Sequence, residues 1–96
     1  MENRILTLHP EGKKGVNISL SKYTLIKAFI LKTLEERKEI SYKELNELAI
    51  ATLKDSFDGS VPWYLVSVKL DLEARKIIAR IPGTSPHYIR LCKDKK

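Results

Sequence analysis

The sequence predicts an α+β fold of three helices, with a C-terminal two-stranded hairpin and an N-terminal β arm or hairpin. Three observations predict it. Ile40-Ser41-Tyr42-Lys43-Glu44-Leu45 joins a capping box, Ser41 with Glu44, to a hydrophobic staple, Ile40 with Leu45, and so fixes a helix start in mid-chain. Ser60 followed by Pro62 opens a long apolar helix, since the first turn has no internal partner for the N–H that proline lacks. That helix runs without a spacer into IIARI and HYIRL, two alternating segments separated by PGTSP.

From the N-terminus, residues 5–8 and 16–20 read as short strands, the second alternating Val16, Ile18, Leu20 against Asn17 and Ser19. HPEGKKG between them has turn chemistry; its GKKG lacks the spacing of a phosphate loop. Ser21 is the expected N-cap of the first helix, over 22–36, whose core stripe is Tyr23, Ile26, Ile30, Thr33 and Leu34. Leu25, Ala28 and Phe29 lie off that stripe and call for cover on a second side, for which the arm is the obvious candidate. Residues 39–41 form a short expected strand. The second helix starts after Ser41, buries Leu45, Leu48, Ala49 and Leu53, and ends near Lys54 before DSFDGS.

In the third helix, expected over 61–76, Val61, Tyr64, Leu65, Val68 and Leu72 form the core side. Trp63, Val66, Leu70 and Ala74 make a second apolar stripe opposite. Lys69, Glu73 and Lys76 hold one boundary between the stripes, Ser67 and Asp71 the other. In the hairpin, an inward-facing Ile89 and Leu91 would leave Arg80, Tyr88 and Arg90 sharing the outer face, with Pro82 and Pro86 stiffening the tip.

Ninety-six residues suit one domain, read as an arm over 1–20, helices and hairpin over 21–91 and a basic tail over 92–96. No apolar run approaches the ~20 residues of a membrane span, and MENRILTLHP lacks the pattern of a secretory signal. With Cys92 the only cysteine, an intrachain disulfide is excluded and a cytoplasmic location is expected. The net charge is +6, its excess concentrated in 59–96, where eight basic side chains face three acidic ones. Part of that excess is the terminal KDKK, read as a solvated tail.

Helix, short strand, helix, turn, helix, hairpin is the order of a winged helix, and over 22–91 the chain resembles the winged helix-turn-helix superfamily. More narrowly, LHPEGKKGVNI, LDLEARKII and IPGTSP are similar to a small prokaryotic family of uncharacterised winged-helix proteins, a domain of unknown function. That resemblance implies a fold and no activity. It also implies glycine where Lys76 stands, so a glycine-mediated stop to the third helix is absent here.

The architecture makes duplex DNA the first expected partner, with the third helix in the major groove and the hairpin along the backbone. Ser60, Trp63, Ser67 and Lys69 would then approach base edges or the sugar-phosphate chain, Arg80, Tyr88 and Arg90 would face the backbone, and Lys43 would add a contact. Base reading is expected to be weak: the helix has no Asn or Gln and no Arg before Arg75, while Asp71 and Glu73 would repel phosphates. The alternative is a protein-interaction module or homodimer using Trp63, Val66, Leu70 and Ala74, provided the arm or first helix does not cover that stripe. No catalysis, metal or cofactor is expected. His9, His87 and Cys92 are the only imidazole and thiol groups and have no ligand spacing. His87 reads as a solvated or capping histidine, and Cys92, on an edge strand, as a packing residue or a spectator.

Overall fold

A computed structural model describes residues 3–9, 11–12, 15–57, 59–81, 83 and 87–92. Pro82 and Pro86 of the hairpin tip, Asp58, part of the HPEGKKG turn and the KDKK tail lie outside the described residues. The elements follow the order β1 (Arg4–Leu6), β2 (Asn17–Ser19), α1 (Leu20–Arg37), β3 (Glu39–Ser41), α2 (Tyr42–Leu53), α3 (Val61–Ala74), β4 (Ile78–Ile81) and β5 (Tyr88–Leu91). The fold is α+β, with three helices and two small sheets, one of two strands and one of three.

The arm is an antiparallel hairpin in which Arg4, Ile5 and Leu6 oppose Ser19, Ile18 and Asn17. Both strands are shorter than the sequence suggested. Beyond Leu6 the Thr7 hydroxyl accepts from Val16 N at 2.9 Å, while Thr7 N donates to the Val16 carbonyl at 2.8 Å. A side chain thus takes over one rung of the ladder. Gly15 permits the close approach, because a Cβ there would fall 1.8 Å from the Thr7 carbonyl oxygen.

Leu20 begins α1 rather than ending β2, and the N-cap is Ser19, whose hydroxyl accepts from Lys22 N at 3.4 Å. The expected cap, Ser21, is already helical, with its hydroxyl 2.9 Å from that of Ser19. The buried residues of α1 are Tyr23, Ile26, Ile30, Thr33 and Leu34, the stripe read from the sequence. The arm packs Ile18 into the core and Ile5 against it, but its cover stops short: Leu25 and Ala28 stay exposed.

The start of α2 matches its signal. Ser41 Oγ accepts from Glu44 N at 3.1 Å, and the staple residues Ile40 and Leu45 are fully buried. The Glu44 carboxylate reaches Arg37 Nη1 at 3.2 Å, tying α2 back to α1.

Ser60 caps α3 through Trp63 N at 3.4 Å. Leu65, Val68 and Leu72 are completely buried, each contributing ~1.5–3 kcal/mol by leaving water. The helix ends at Ala74, earlier than expected. Ile77 N donates to Leu72 O at 2.9 Å and Lys76 N to Glu73 O at 3.1 Å, with Lys76 at φ +66°. These are the two bonds of a Schellman stop, with lysine in the left-handed position that usually belongs to glycine.

The second sheet has the order β3-β5-β4, all antiparallel. Strand β5 is therefore central, so Cys92, just past its end, does not sit on an edge strand as expected. Residue Ile78 opposes Leu91, Ala79 opposes Arg90, and Arg80 opposes Ile89. Opposed residues share a face and neighbours alternate, so Arg80 lies on one face of the sheet and Arg90, with Tyr88, on the other. The expected common outer face of the three does not form. Among the described residues no helix is long and apolar enough to cross a membrane.

Candidate functional site

The C-terminal half of α3 and its C-cap carry four ionic residues, Lys69, Asp71, Glu73 and Arg75, and the fold draws all of them into pairs along the helix flanks. Positions 71 and 73 are two residues apart and so lie ~160° apart around the helix. One flank meets the arm and α1, the other meets α2 and the second sheet.

On the first flank Asp71 is fully buried. Its Oδ1 accepts from Leu8 N at 2.8 Å, while its Oδ2 accepts from Arg75 Nε at 2.8 Å and from the Tyr23 hydroxyl. Burial first, and then the hydrogen bond to the Asp71 carboxylate, pushes Tyr23 up to about 12. The carboxylate therefore latches the arm and α1 to α3.

On the second flank Lys69 is only 3% exposed, with Nζ 3.0 Å from Glu73 Oε2 and 5.1 Å from the centre of the Tyr42 ring. Glu73 Oε1 also faces Arg80 Nη2 at 3.7 Å. Tyr42 stacks on His87 with ring centroids 5.6 Å apart and planes 14° from parallel. Tyr42 N donates to the His87 carbonyl at 3.0 Å, which closes the β3–β5 ladder onto the first turn of α2. Burial lowers the His87 pKa, and the nearby charges of Lys69 and Arg80 lower it further. Nε2 of that ring is buried with no hydrogen-bond partner among the described residues, so a proton added there would be an unsatisfied donor. His87 is thus a packed, neutral ring rather than the solvated or capping side chain expected.

Between these flanks the outer side of α3 is left without charge. Trp63 is 45% exposed and Val66 37%, while Leu70 and Ala74 are half-buried. Neither the arm nor α1 covers the stripe completely. The Trp63 ring meets Tyr64 edge-on at 4.9 Å, which fixes its position at the N-terminal end of the ridge. A concavity of about 590 Å³, lined in part by Leu34, Lys38, Arg90 and Leu91, opens elsewhere, between α1 and β5.

The polar residues expected to face DNA are for the most part engaged within the chain. Ser60 Oγ serves the cap, and Ser67 Oγ donates to Trp63 O at 3.0 Å. Lys69 is buried, and Arg80 reaches toward Glu73. Lys43 is exposed but paired with Glu47 at 3.4 Å along its own helix. Tyr88 and Arg90 share the far face of the sheet, where the Arg90 guanidinium donates to the Leu91 carbonyl at 3.3 Å. Asp71, expected with Glu73 to repel a phosphate backbone, is buried, Glu73 is half-buried, and both are ion-paired within the chain. The sequence reading missed Tyr42, Asp71 and His87 as structural partners. The i,i+4 spacings of Lys69 with Glu73 and Asp71 with Arg75 were the available signal for part of this.

Among the described residues no three His, Cys, Asp or Glu side chains come together in a group able to hold a metal ion. Fold and surface together define a small α+β domain whose third helix is clamped at both flanks and bare on its outer side. The chain belongs to a family of unknown function (DUF6958), whose model matches residues 4–89. No curated protein and no solved structure matches it.

Proposed function

We propose that this chain is a winged helix that works as a protein-docking module, gripping its partner through the outer side of α3 rather than reading duplex DNA with it. The order of helices, the short strand β3 beside the C-terminal hairpin and the packing of α3 on both other helices support the winged-helix reading. One observation carries the docking reading. Every ionic side chain of α3 is turned away into an intramolecular pair, leaving Trp63 and Val66 exposed on an uncharged ridge. Base readout needs donors and acceptors at that place. Protein interfaces instead favour an aromatic anchor surrounded by uncharged contacts.

Trp63 is the only tryptophan, so its fluorescence reports the ridge directly. In dilute solution an uncharged quencher should reach it readily, and a labelled duplex should bind only through diffuse charge attraction. Duplex binding that collapses when Ser67 and Trp63 are replaced by alanine, with the fold intact, would overturn the proposal in favour of DNA recognition. A Trp63 shielded like a core residue would remove the ridge itself.

A further inference from the structure

We infer that the chain has a second docking surface, a groove between the C-terminal half of α1 and the end of β5, whose occupant is an extended acidic segment of a partner protein carrying two apolar side chains. None of its lining residues belongs to the ridge of Trp63, Val66, Leu70 and Ala74, so the groove stands apart from the docking reading above. Its first support is shape. The concavity of about 590 Å³ between α1 and β5 has a neighbour of about 510 Å³, and Glu35, Leu91 and Cys92 line both, so the two run together. Leu34, fully buried, lies at the bottom of the first, and half-buried Leu31, Ile77 and Leu91 line the second. Two adjoining concavities suit two apolar side chains on one face of an extended segment, where alternate residues lie ~7 Å apart. An apolar patch that meets a membrane has to protrude into it, whereas this one is recessed.

Charge defines the occupant further. Lys38 and Arg90 line the first concavity and Arg75 and Lys76 the second, all four exposed. Glu39 stands with the first pair, and Glu35 lies where the two concavities meet. The groove is therefore basic at both ends and acidic between them. A nucleic acid, with its evenly spaced phosphates, would set a phosphate against Glu35 in the middle. A peptide with carboxylates on either side of two apolar residues matches the pattern, since its centre carries no charge and its main-chain N–H groups can face Glu35.

The backbone supplies the third support. Among the described residues only Lys38 and Lys76 hold a positive φ without being glycine, at +73° and +66°. Lys38 caps the end of α1 and Lys76 follows the cap of α3, and each lines one of the two concavities. Glycine is the usual residue at such a stop. A left-handed backbone costs lysine more than the helix dipole returns to a cation at that place, so stability alone does not account for lysine at both. A demand for one cation at each end of a groove does, and strain of this kind collects at functional sites.

Fluorescence anisotropy tests this with a labelled peptide in which two leucines separated by one serine are flanked on each side by two aspartates. It should bind in the micromolar range at low salt and shift the amide resonances of Leu31, Ile77 and Leu91, leaving those of Val66 and Leu70 in place. A peptide with lysines for the aspartates, and another with serines for the leucines, should each bind at least about tenfold more weakly. Replacing Lys38 and Lys76 together by glycine should move two readouts in opposite directions: the melting temperature rises as the left-handed strain goes, and peptide affinity falls about tenfold. Trp63→Ser should leave that affinity unchanged. Equal binding of either control peptide, unchanged affinity in the double glycine variant, or no binding at all overturns the inference. A labelled duplex or phosphatidylserine vesicles that bind more tightly than the peptide, and lose that binding in the same variant, overturn it in favour of a nucleic acid or a membrane. Peptide binding lost in Trp63→Ser refutes the groove and assigns the peptide to the ridge, whereas every other failure of the groove leaves the ridge reading as it stands.

Discussion

Replacing Asp71 by alanine should be among the most damaging single changes available, although it alters no apolar contact of the core. Asp71 Oδ1 and Oδ2 accept from Leu8 N, Arg75 Nε and the Tyr23 hydroxyl, and the side chain is wholly buried. Arg75 is 36% exposed and can turn to water when its partner goes. The Tyr23 hydroxyl, on a buried residue, loses its acceptor, and a polar group left unsatisfied in the interior costs ~1–3 kcal/mol; Leu8 is 44% exposed, so its amide loses only a hydrogen bond to a carboxylate, ~1.5 kcal/mol. Together these give a loss of about 3 kcal/mol, at the low end of the range for breaking one side of a buried ionic contact. A chain of this length has a total stability of roughly 5–14 kcal/mol, so the change removes a large part of it.

Urea unfolding followed by circular dichroism measures the loss, and hydrogen exchange at the Leu8 amide localises it. Tyr23→Phe alone should cost ~2 kcal/mol, the value of one hydrogen bond to a charged group. Because both changes break the same bond, Asp71→Ala on top of Tyr23→Phe should cost less than Asp71→Ala alone, a coupling of ~1–2 kcal/mol. A loss below ~1 kcal/mol for Asp71→Ala, or unchanged protection of the Leu8 amide, would refute the latch.

Two further changes probe the ends of α3 and the sheet beside it. Lys76 sits at φ +66°, where a side chain costs ~1–2 kcal/mol and glycine costs less. Lys76→Gly should therefore raise stability by about 0.5–1 kcal/mol once glycine's freedom in the unfolded chain is counted, visible as a higher urea midpoint at an unchanged slope. His87 takes up a proton near 6.5 when unfolded but only at lower pH when folded, because burial and then Lys69 and Arg80 oppose its charge. The unfolded chain thus binds more protons in that window, and the contribution of His87 is present above pH 6.5 and lost as the pH falls below it. The urea midpoint should drop on acidification from neutral pH, and His87→Gln should flatten the part of the drop nearest 6.5; an identical pH profile in the variant would show that the ring is not the titrating group.

The elements with local signatures were legible in the sequence, and the errors fall where partners are distant. Ser41 with Glu44, Ile40 with Leu45, and Ser60 with Pro62 each placed a helix start correctly because capping is settled within a few residues. The α1 stripe was read in full for the same reason. Ser19 and Ser21 offer the same cap chemistry two positions apart, and only the end of β2 decides between them. Adjacent isoleucines at 77 and 78 leave the inward parity of β4 ambiguous, since either could be the core residue. It is Ile78 that is buried, which sends Arg80 to the face opposite Arg90. Asp71 reads as a boundary residue of a helix, and nothing nearby announces its partners, which lie 48 and 63 residues away in Tyr23 and Leu8.

These long-range partners also account for the bare ridge. Turning α3 about its axis to bury Trp63 would lift Asp71 away from Tyr23 and Leu8 on one flank, or pull Lys69 and Glu73 away from Tyr42 and Arg80 on the other. It would also bring Leu65, Val68 or Leu72, now completely buried, toward water. Because the two polar flanks are ~160° apart, no rotation satisfies one without breaking the other. The exposure of Trp63 is thus fixed by the same contacts that hold the arm, α1, α2 and the second sheet together. Removing the ridge's aromatic anchor leaves those contacts untouched, so Trp63→Ser should separate association from folding, whereas Asp71→Ala should lower both together.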